Sequence, residues 1–214
     1  MKGEGPELLD RLHWLGHDSF RIDQPIVIYI DPWRLPPGSP AADLILVSHE
    51  HHDHCSPGDV ERVRQASTVV IANHTAAANL SAPVTILRVG ESIEVRGVTV
   101  QAVPAYNIGK PFHPKQAGHL GFVITLGKER LYFAGDADYI PEMDSLVCDV
   151  ALLPVSGKYV MTAEEAARAA EAIHPKVAIP MHYGAGVVGT KEDAERFRDL
   201  SPTPVVVLEV ESGG

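Results

Sequence analysis

Cysteine is almost missing from this chain. The 214 residues contain two, Cys55 and Cys148, too few for a disulfide framework. With no secretory signal beside them they are expected to be free thiols. No apolar run approaches the roughly 18 residues that a bilayer-spanning helix needs. Residues 1–7 carry acids and no hydrophobic stretch of a signal peptide, so the expected location is cytoplasmic. Positive charge is in deficit: 18 Lys and Arg against 28 Asp and Glu give a formal net charge of −10. A nucleic-acid partner usually wants a basic face, and a membrane anchor wants a polybasic run. Neither is expected here. A small-molecule substrate is the expected partner, and a homo-oligomer stays open. No repeat of fixed period and no low-complexity linker divides the chain, so a single domain over residues 1–214 is the economical reading.

Histidine is what the chain does have. Four of its 11 histidines fall in residues 49–54, together with Glu50 and Asp53. An apolar run, residues 44–47, precedes this cluster, and Ser56, Pro57 and Asp59 follow it as a helix start. In an extended segment residues 49, 51 and 53 project to one side. A turn into the helix lets His54 swing back toward them. Imidazoles and a carboxylate converging on one point make a site for one or two borderline divalent cations, zinc being the expected one. A solvated His-rich loop is the plain alternative, and the strand context argues against it.

The rest of the chain supplies that context. Strands are predicted around Leu12 to Trp14 and Phe20 to Ile22, then at residues 26–30, 44–48, 68–72, 120–126, 130–134, 150–153, 177–180 and 205–210. Residues 84–103 read as a hairpin or meander. Residues 104–119 hold three prolines and two glycines and read as a loop over the site. Thr162 and Glu165 form a capping box for a helix burying Ala163, Ala166, Ala167, Ala170 and Ile173. Thr190 starts a last helix. The polar candidates His49 to His54, Asp136 and His182 each follow the end of an apolar strand, where α/β architectures place their sites.

These residues carry a resemblance. His49, His51, Asp53 and His54 match the H-x-H-x-D-H signature of the metallo-β-lactamase superfamily. Asp136, after Phe133, Ala134 and Gly135, resembles its later acidic ligand, and His182 its final histidine. The opening Trp14 to Phe20 and Ile30, Asp31, Pro32 further resemble the branch of small metal-dependent hydrolases that includes ascorbate-6-phosphate lactonase-like proteins. The resemblance covers essentially the whole chain and implies an α/β (α+β) four-layer αββα sandwich. It implies two divalent metal ions, Zn2+ by expectation with Mn2+ or Fe2+ as alternatives. His49 and His51 then bind the first, Asp53, His54 and His182 the second, and Asp136 bridges them. A hydroxide held between the ions is the implied nucleophile on an ester-like bond, a phosphoester or a lactone, with Asp53 and Asp136 as the catalytic carboxylates. A nuclease of the same fold and a non-catalytic metal-binding member are the alternatives. Most relatives supply a third histidine to the first metal where this chain reads Val103 to Asn107. His113 is expected to take the role, with Asn107 and His119 as rivals. His17 and Asp31 are expected to orient ligands, while Glu50 and His52 point away. Asp136 is not cysteine and His51 is not glutamate, which disfavours the antibiotic-hydrolysing and the di-iron relatives.

Overall fold

The computed structural model describes residues 5–211. Ahead of the sheets, Glu7–Arg11 forms a 3-10 turn. Two six-stranded sheets follow in sequence order. The first holds β1 (Leu12–Gly16), β2 (Ser19–Ile22), β3 (Ile28–Ile30), β4 (Leu44–Val47), β5 (Val69–Ala72) and β6 (Thr85–Ile86). The second holds β7 (Ser92–Val95), β8 (Val98–Pro104), β9 (Leu120–Leu126), β10 (Glu129–Phe133), β11 (Val150–Pro154) and β12 (Val177–Met181). Each starts antiparallel and ends parallel: β3 to β6 in the first, β10 to β12 in the second.

Alternation along the strands sets the layers. Ile28, Ile30, Leu44 and Leu46 face the second sheet and join Phe20, Phe122 and Phe133 in one core. Their neighbours Tyr29, Ile45 and Val47 point outward onto Val60 and Val63 of helix α1 (Pro57–Val63), whose Ser56 hydroxyl accepts from the Asp59 amide. The short α2 (His74–Ala77) covers the same face. On the other side α3 (Ala163–Ile173) opens with the predicted Thr162–Glu165 box and buries all five predicted positions. It packs with α4 (Lys191–Leu200). The result is the expected four-layer αββα sandwich. Among the described residues no helix is long and apolar enough to cross a membrane.

Two expectations need correction. Residues 84–103 are not one meander: β6 leaves for the first sheet, parallel to β5, and only β7 and β8 pair as a hairpin. The bend at residues 88–91, where Gly90 has φ 88°, separates them. Residues 205–210 are not a strand. Val205 bridges Ala178 of the second sheet and Val210 bridges Trp14 of the first. One segment tied to two sheets cannot follow either ladder.

The parallel strands aim their carboxyl ends at one edge, which receives Asp31, His49, Asp136 and His182. Gly135 shapes that edge. It has φ 61°, and a Cβ built there would lie 2.7 Å from the Leu120 carbonyl oxygen. Gly135→Ala is therefore expected to cost about 2–5 kcal/mol from the left-handed backbone and the clash together. A urea denaturation midpoint unchanged from wild type would refute this.

Candidate metal centre

The sharp turn after β4 does what the 49–54 cluster promised. His49 Nε2 lies 3.0 Å from His51 Nδ1. His113 Nε2 lies 3.2 Å from the same His51 atom and 3.2 Å from Asp136 Oδ2. His49 Nε2 is 3.8 Å from Asp136 Oδ2. Donors held at about 2.1 Å from a common tetrahedral centre would lie about 3.4 Å apart. These four side chains therefore have the spacing of a shell around one cation. On the far side of Asp136, His54 Nε2 is 3.3 Å from Oδ1 and His182 Nε2 is 3.4 Å from Oδ2. One carboxylate thus touches both donor groups.

The third imidazole of the first group comes from the 104–119 loop. Its inward fold is set by Asn107, whose amide donates to the His113 carbonyl. The Asn107 side-chain oxygen accepts from the His113 amide at 3.1 Å and lies 3.0 Å from His113 Nδ1. Asn107 is thereby an orienting residue. His119 instead stacks on the His49 ring at 4.7 Å, and its Nε2 lies 3.4 Å from Glu50 Oε2. Of the three candidates only His113 brings a donor atom into the group.

Asp53 departs from the expected arrangement. Its Oδ2 lies 3.1 Å from His17 Nε2, and it is outside the gathered donor groups. Beside His54 and His182 the gathered group holds Asp18 and His17; nothing in the sequence singles out Asp18. The available signal was an acid in a tight turn between the apolar flanks of β1 and β2.

A ring of further contacts turns the imidazoles the right way. Asp31 accepts from the Ser48 amide and hydroxyl at 2.7 and 2.6 Å and lies 2.8 Å from His54 Nδ1. Ser48 Oγ is 2.9 Å from His49 Nδ1, and Ser156 Oγ is 2.8 Å from His182 Nδ1. The Nε2 atoms of His49, His54 and His182 are left to the centre. Neither serine was singled out from sequence, because a serine at a strand end is an ordinary residue there. His17, Asp31 and His182 all have positive φ, 54°, 44° and 63°, an uncommon backbone for non-glycine residues. Glu50 bonds the Thr75 hydroxyl and His52 is largely exposed, so both sit off the centre as expected.

Electrostatics divide the two groups. Burial, helped by the neighbouring His54 charge, holds His49 well below the usual imidazole range, and burial lowers His113 to about 4. Burial also opposes charge on His54 and His182, but the Asp136 carboxylate and its neighbours outweigh it. His54 rises well above the usual value and His182 rises to about 9. Burial raises Asp136, yet the facing His54 and His182 charges overcome it and hold the carboxyl well below its usual range.

The centre floors a half-open cleft of about 350 Å3, with His113, Asp136 and His182 below and Phe112, Tyr159 and Val187 around it. Phe112 and Tyr159 meet edge to face at 4.6 Å. No lysine or arginine lines it among the described residues. Tyr183 packs on Trp14 at 4.8 Å and Tyr106 bonds Glu142 at 2.9 Å, so neither lines the cleft. Both cysteines are buried and free; burial pushes Cys55 up to about 11.

The model of the β-lactamase superfamily domain matches residues 11–182, a span that runs from β1 to the last of the gathered histidines. The UPF0173 metal-dependent hydrolase of Thermoplasma acidophilum is 32% identical over 218 residues, covering 94% of this chain and 96% of its own. This chain belongs to the UPF0173 family of the metallo-β-lactamase superfamily. A second UPF0173 metal-dependent hydrolase, from Pyrococcus abyssi, is 32% identical over 219 residues, with 92% and 96% coverage. A crystal structure from Parabacteroides distasonis shares 31% identity at a TM-score of 0.84, covering 94% of this chain and 93% of its own. A metallo hydrolase of Ignicoccus hospitalis has the same fold at 23% identity, with a TM-score of 0.77 and coverage of 94% and 95%.

Proposed function

We propose that this UPF0173 protein hydrolyses an ester-like bond of an uncharged small molecule at a centre holding two divalent cations. The observation that carries the reading is Asp136, one buried carboxylate shared by two sets of imidazoles at the floor of a cleft. His49, His51, His113 and Asp136 would hold the first cation; His54, His182 and Asp136 would hold the second. Three imidazoles with a carboxylate suit zinc, and manganese or iron(II) would also be accepted. Such a pair would lower the pKa of bound water and polarise the electrophilic oxygen.

The chain's own side chains do the rest. Asp136 fixes the separation of the two imidazole sets. Asp53 lines the cleft without joining a donor group. Burial raises it, but the hydrogen bond from His17 and nearby charge bring it well below the usual carboxylate range. Anchored through Oδ2, it is ionised and placed to orient the attacking water. Phe112, Tyr159 and Val187 give the substrate an apolar seat. Because no lysine or arginine faces the cleft among the described residues, a carboxylic ester or lactone is favoured over a phosphoester, and the same lack disfavours a nucleic-acid substrate. A cytoplasmic location fits this reading.

The test is a screen of aryl esters, lactones, thioesters and phosphodiesters against metal-stripped protein with and without Zn2+ or Mn2+. Ester or lactone hydrolysis is expected to rise at least about 100-fold on reconstitution. The melting temperature should also rise, by roughly 10 °C if binding contributes about 4 kcal/mol. No gain in any hydrolysis with either ion would sink the enzyme reading.

A further inference from the structure

Asp18 is the least explained charge in the molecule. It sits in the two-residue turn between β1 and β2, its side chain is 0% exposed, and neither of its oxygens has a hydrogen-bond partner. A buried ionised carboxylate without a partner is strongly unfavourable. Its surroundings say what the missing partner is. Oδ2 lies 3.6 Å from His54 Nε2, 3.8 Å from His182 Nε2 and 3.4 Å from His17 Nε2. His54 Nε2 and Asp136 Oδ1 are buried and lack hydrogen-bond partners as well. Three orphaned polar groups from three separate segments thus face one another at the spacing of ligands around an ion, near the 3.4 Å edge of a tetrahedral shell with bonds of about 2.1 Å.

Asp53, the carboxylate that the H-x-H-x-D-H signature would place here, is turned away. His17 lies against it at 3.1 Å, and the left-handed backbone at residue 17 (φ 54°) sets that ring between Asp53 and Asp18. We propose that Asp18 replaces Asp53 as a ligand of the second cation, alongside His54, His182 and the shared Asp136, while His17 holds Asp53 at the cleft wall as a positioning residue. The proposal rests on the two-cation reading of the centre. Its consequence is chemical. Two imidazoles with two carboxylates form a harder donor set than the three imidazoles and one carboxylate of the first site. Mn2+ or Fe2+ is therefore better tolerated at the second site and Zn2+ better held at the first.

Metal content and chelator competition on wild type, Asp18→Asn and Asp53→Asn test the assignment without any assay of turnover. Wild type is expected to bind two cations, Asp53→Asn two, and Asp18→Asn one, with the second affinity lowered at least about 100-fold. The circular dichroism spectrum of metal-free Asp18→Asn is expected to match that of metal-free wild type, so that a lost cation is not read as a lost fold. Asp18→Cys loaded with Co2+ supplies the direct readout. A thiolate-to-metal charge-transfer band is expected, because the side chain at position 18 touches the ion. Wild type binding fewer than two cations would overturn the two-cation reading and this proposal together. Wild type binding two while Asp18→Asn also keeps two, or an Asp18→Cys protein with no such band, would overturn the Asp18 assignment alone.

Discussion

Asp136→Ala is expected to lower metal-dependent hydrolysis by at least about 1,000-fold and to leave the protein with fewer than one bound cation. The size follows from its position. Asp136 is 3% exposed, and its two oxygens lie 3.2–3.8 Å from His49, His113, His54 and His182. Among the described residues no other carboxylate lies within 4 Å of imidazoles from both sets, so its loss removes a donor from each. Ligand-orienting residues such as Ser48 or Ser156 act on one imidazole apiece, and their loss should cost about 10–100-fold. Asp136→Asn keeps the volume and one oxygen, so it separates a lost donor from a lost fold. Metal-free Asp136→Asn should melt below metal-free wild type at pH 7, because the amide no longer stabilises the His54 and His182 imidazoliums, and it should bind cations poorly with its circular dichroism spectrum unchanged. Rates at saturating Zn2+ or Mn2+, set beside metal analysis of the same samples, decide the matter. An alanine variant that keeps more than about a tenth of the wild-type rate would show that the shared carboxylate is not what organises the centre.

How much of this was legible in the sequence depends on the range of the interaction. Local patterns read through. Alternation in β3 and β4 put Ile28, Ile30, Leu44 and Leu46 on one face, and the Thr162 box opened α3 where it should. The density of histidines at 49–54 was enough to point to a metal, and Asp136 and His182 followed from strand ends. Long-range choices did not read through. Nothing in residues 84–87 says that β6 joins the first sheet, because a two-residue strand has too little alternation to choose a side. The apolar segment 205–210 looks like a strand, yet its two ends belong to different sheets. Asp18 is the most telling case. The motif marks its neighbour His17 as an orienting residue, but which acid His17 faces depends on the crossing of β1, β4 and β12, which no spacing in the chain encodes. The 104–119 loop is similar: His113 was one of three choices, and the hydrogen bonds of Asn107 select it only once the loop has folded.

Cation uptake is expected to be steeply pH-dependent at one site and nearly flat at the other. Without a cation, His54 is held well above the usual imidazole range, and His182 is held at about 9. Both are protonated at pH 7 and must each lose a proton before Nε2 can donate to an ion. Proton release on binding makes the apparent affinity of the second site rise steeply with pH, until the pH passes the raised values. His49 and His113 are held low, the latter at about 4, so they are neutral at pH 7 and release nothing. The first site should therefore fill at neutral pH and the second only as the pH is raised. The same shift fixes the stability of the metal-free protein. His182 has a folded value above its unfolded one, near 6.5. Its contribution is fully present below about 6.5 and is lost as the pH rises through about 9. Metal-free protein should thus melt lower at about pH 9.5 than at about pH 7, and protein loaded with cations should not. Calorimetric titration in two buffers of different ionisation enthalpy counts the protons directly. Equal pH slopes for the two binding events would contradict the division of charge between the sites.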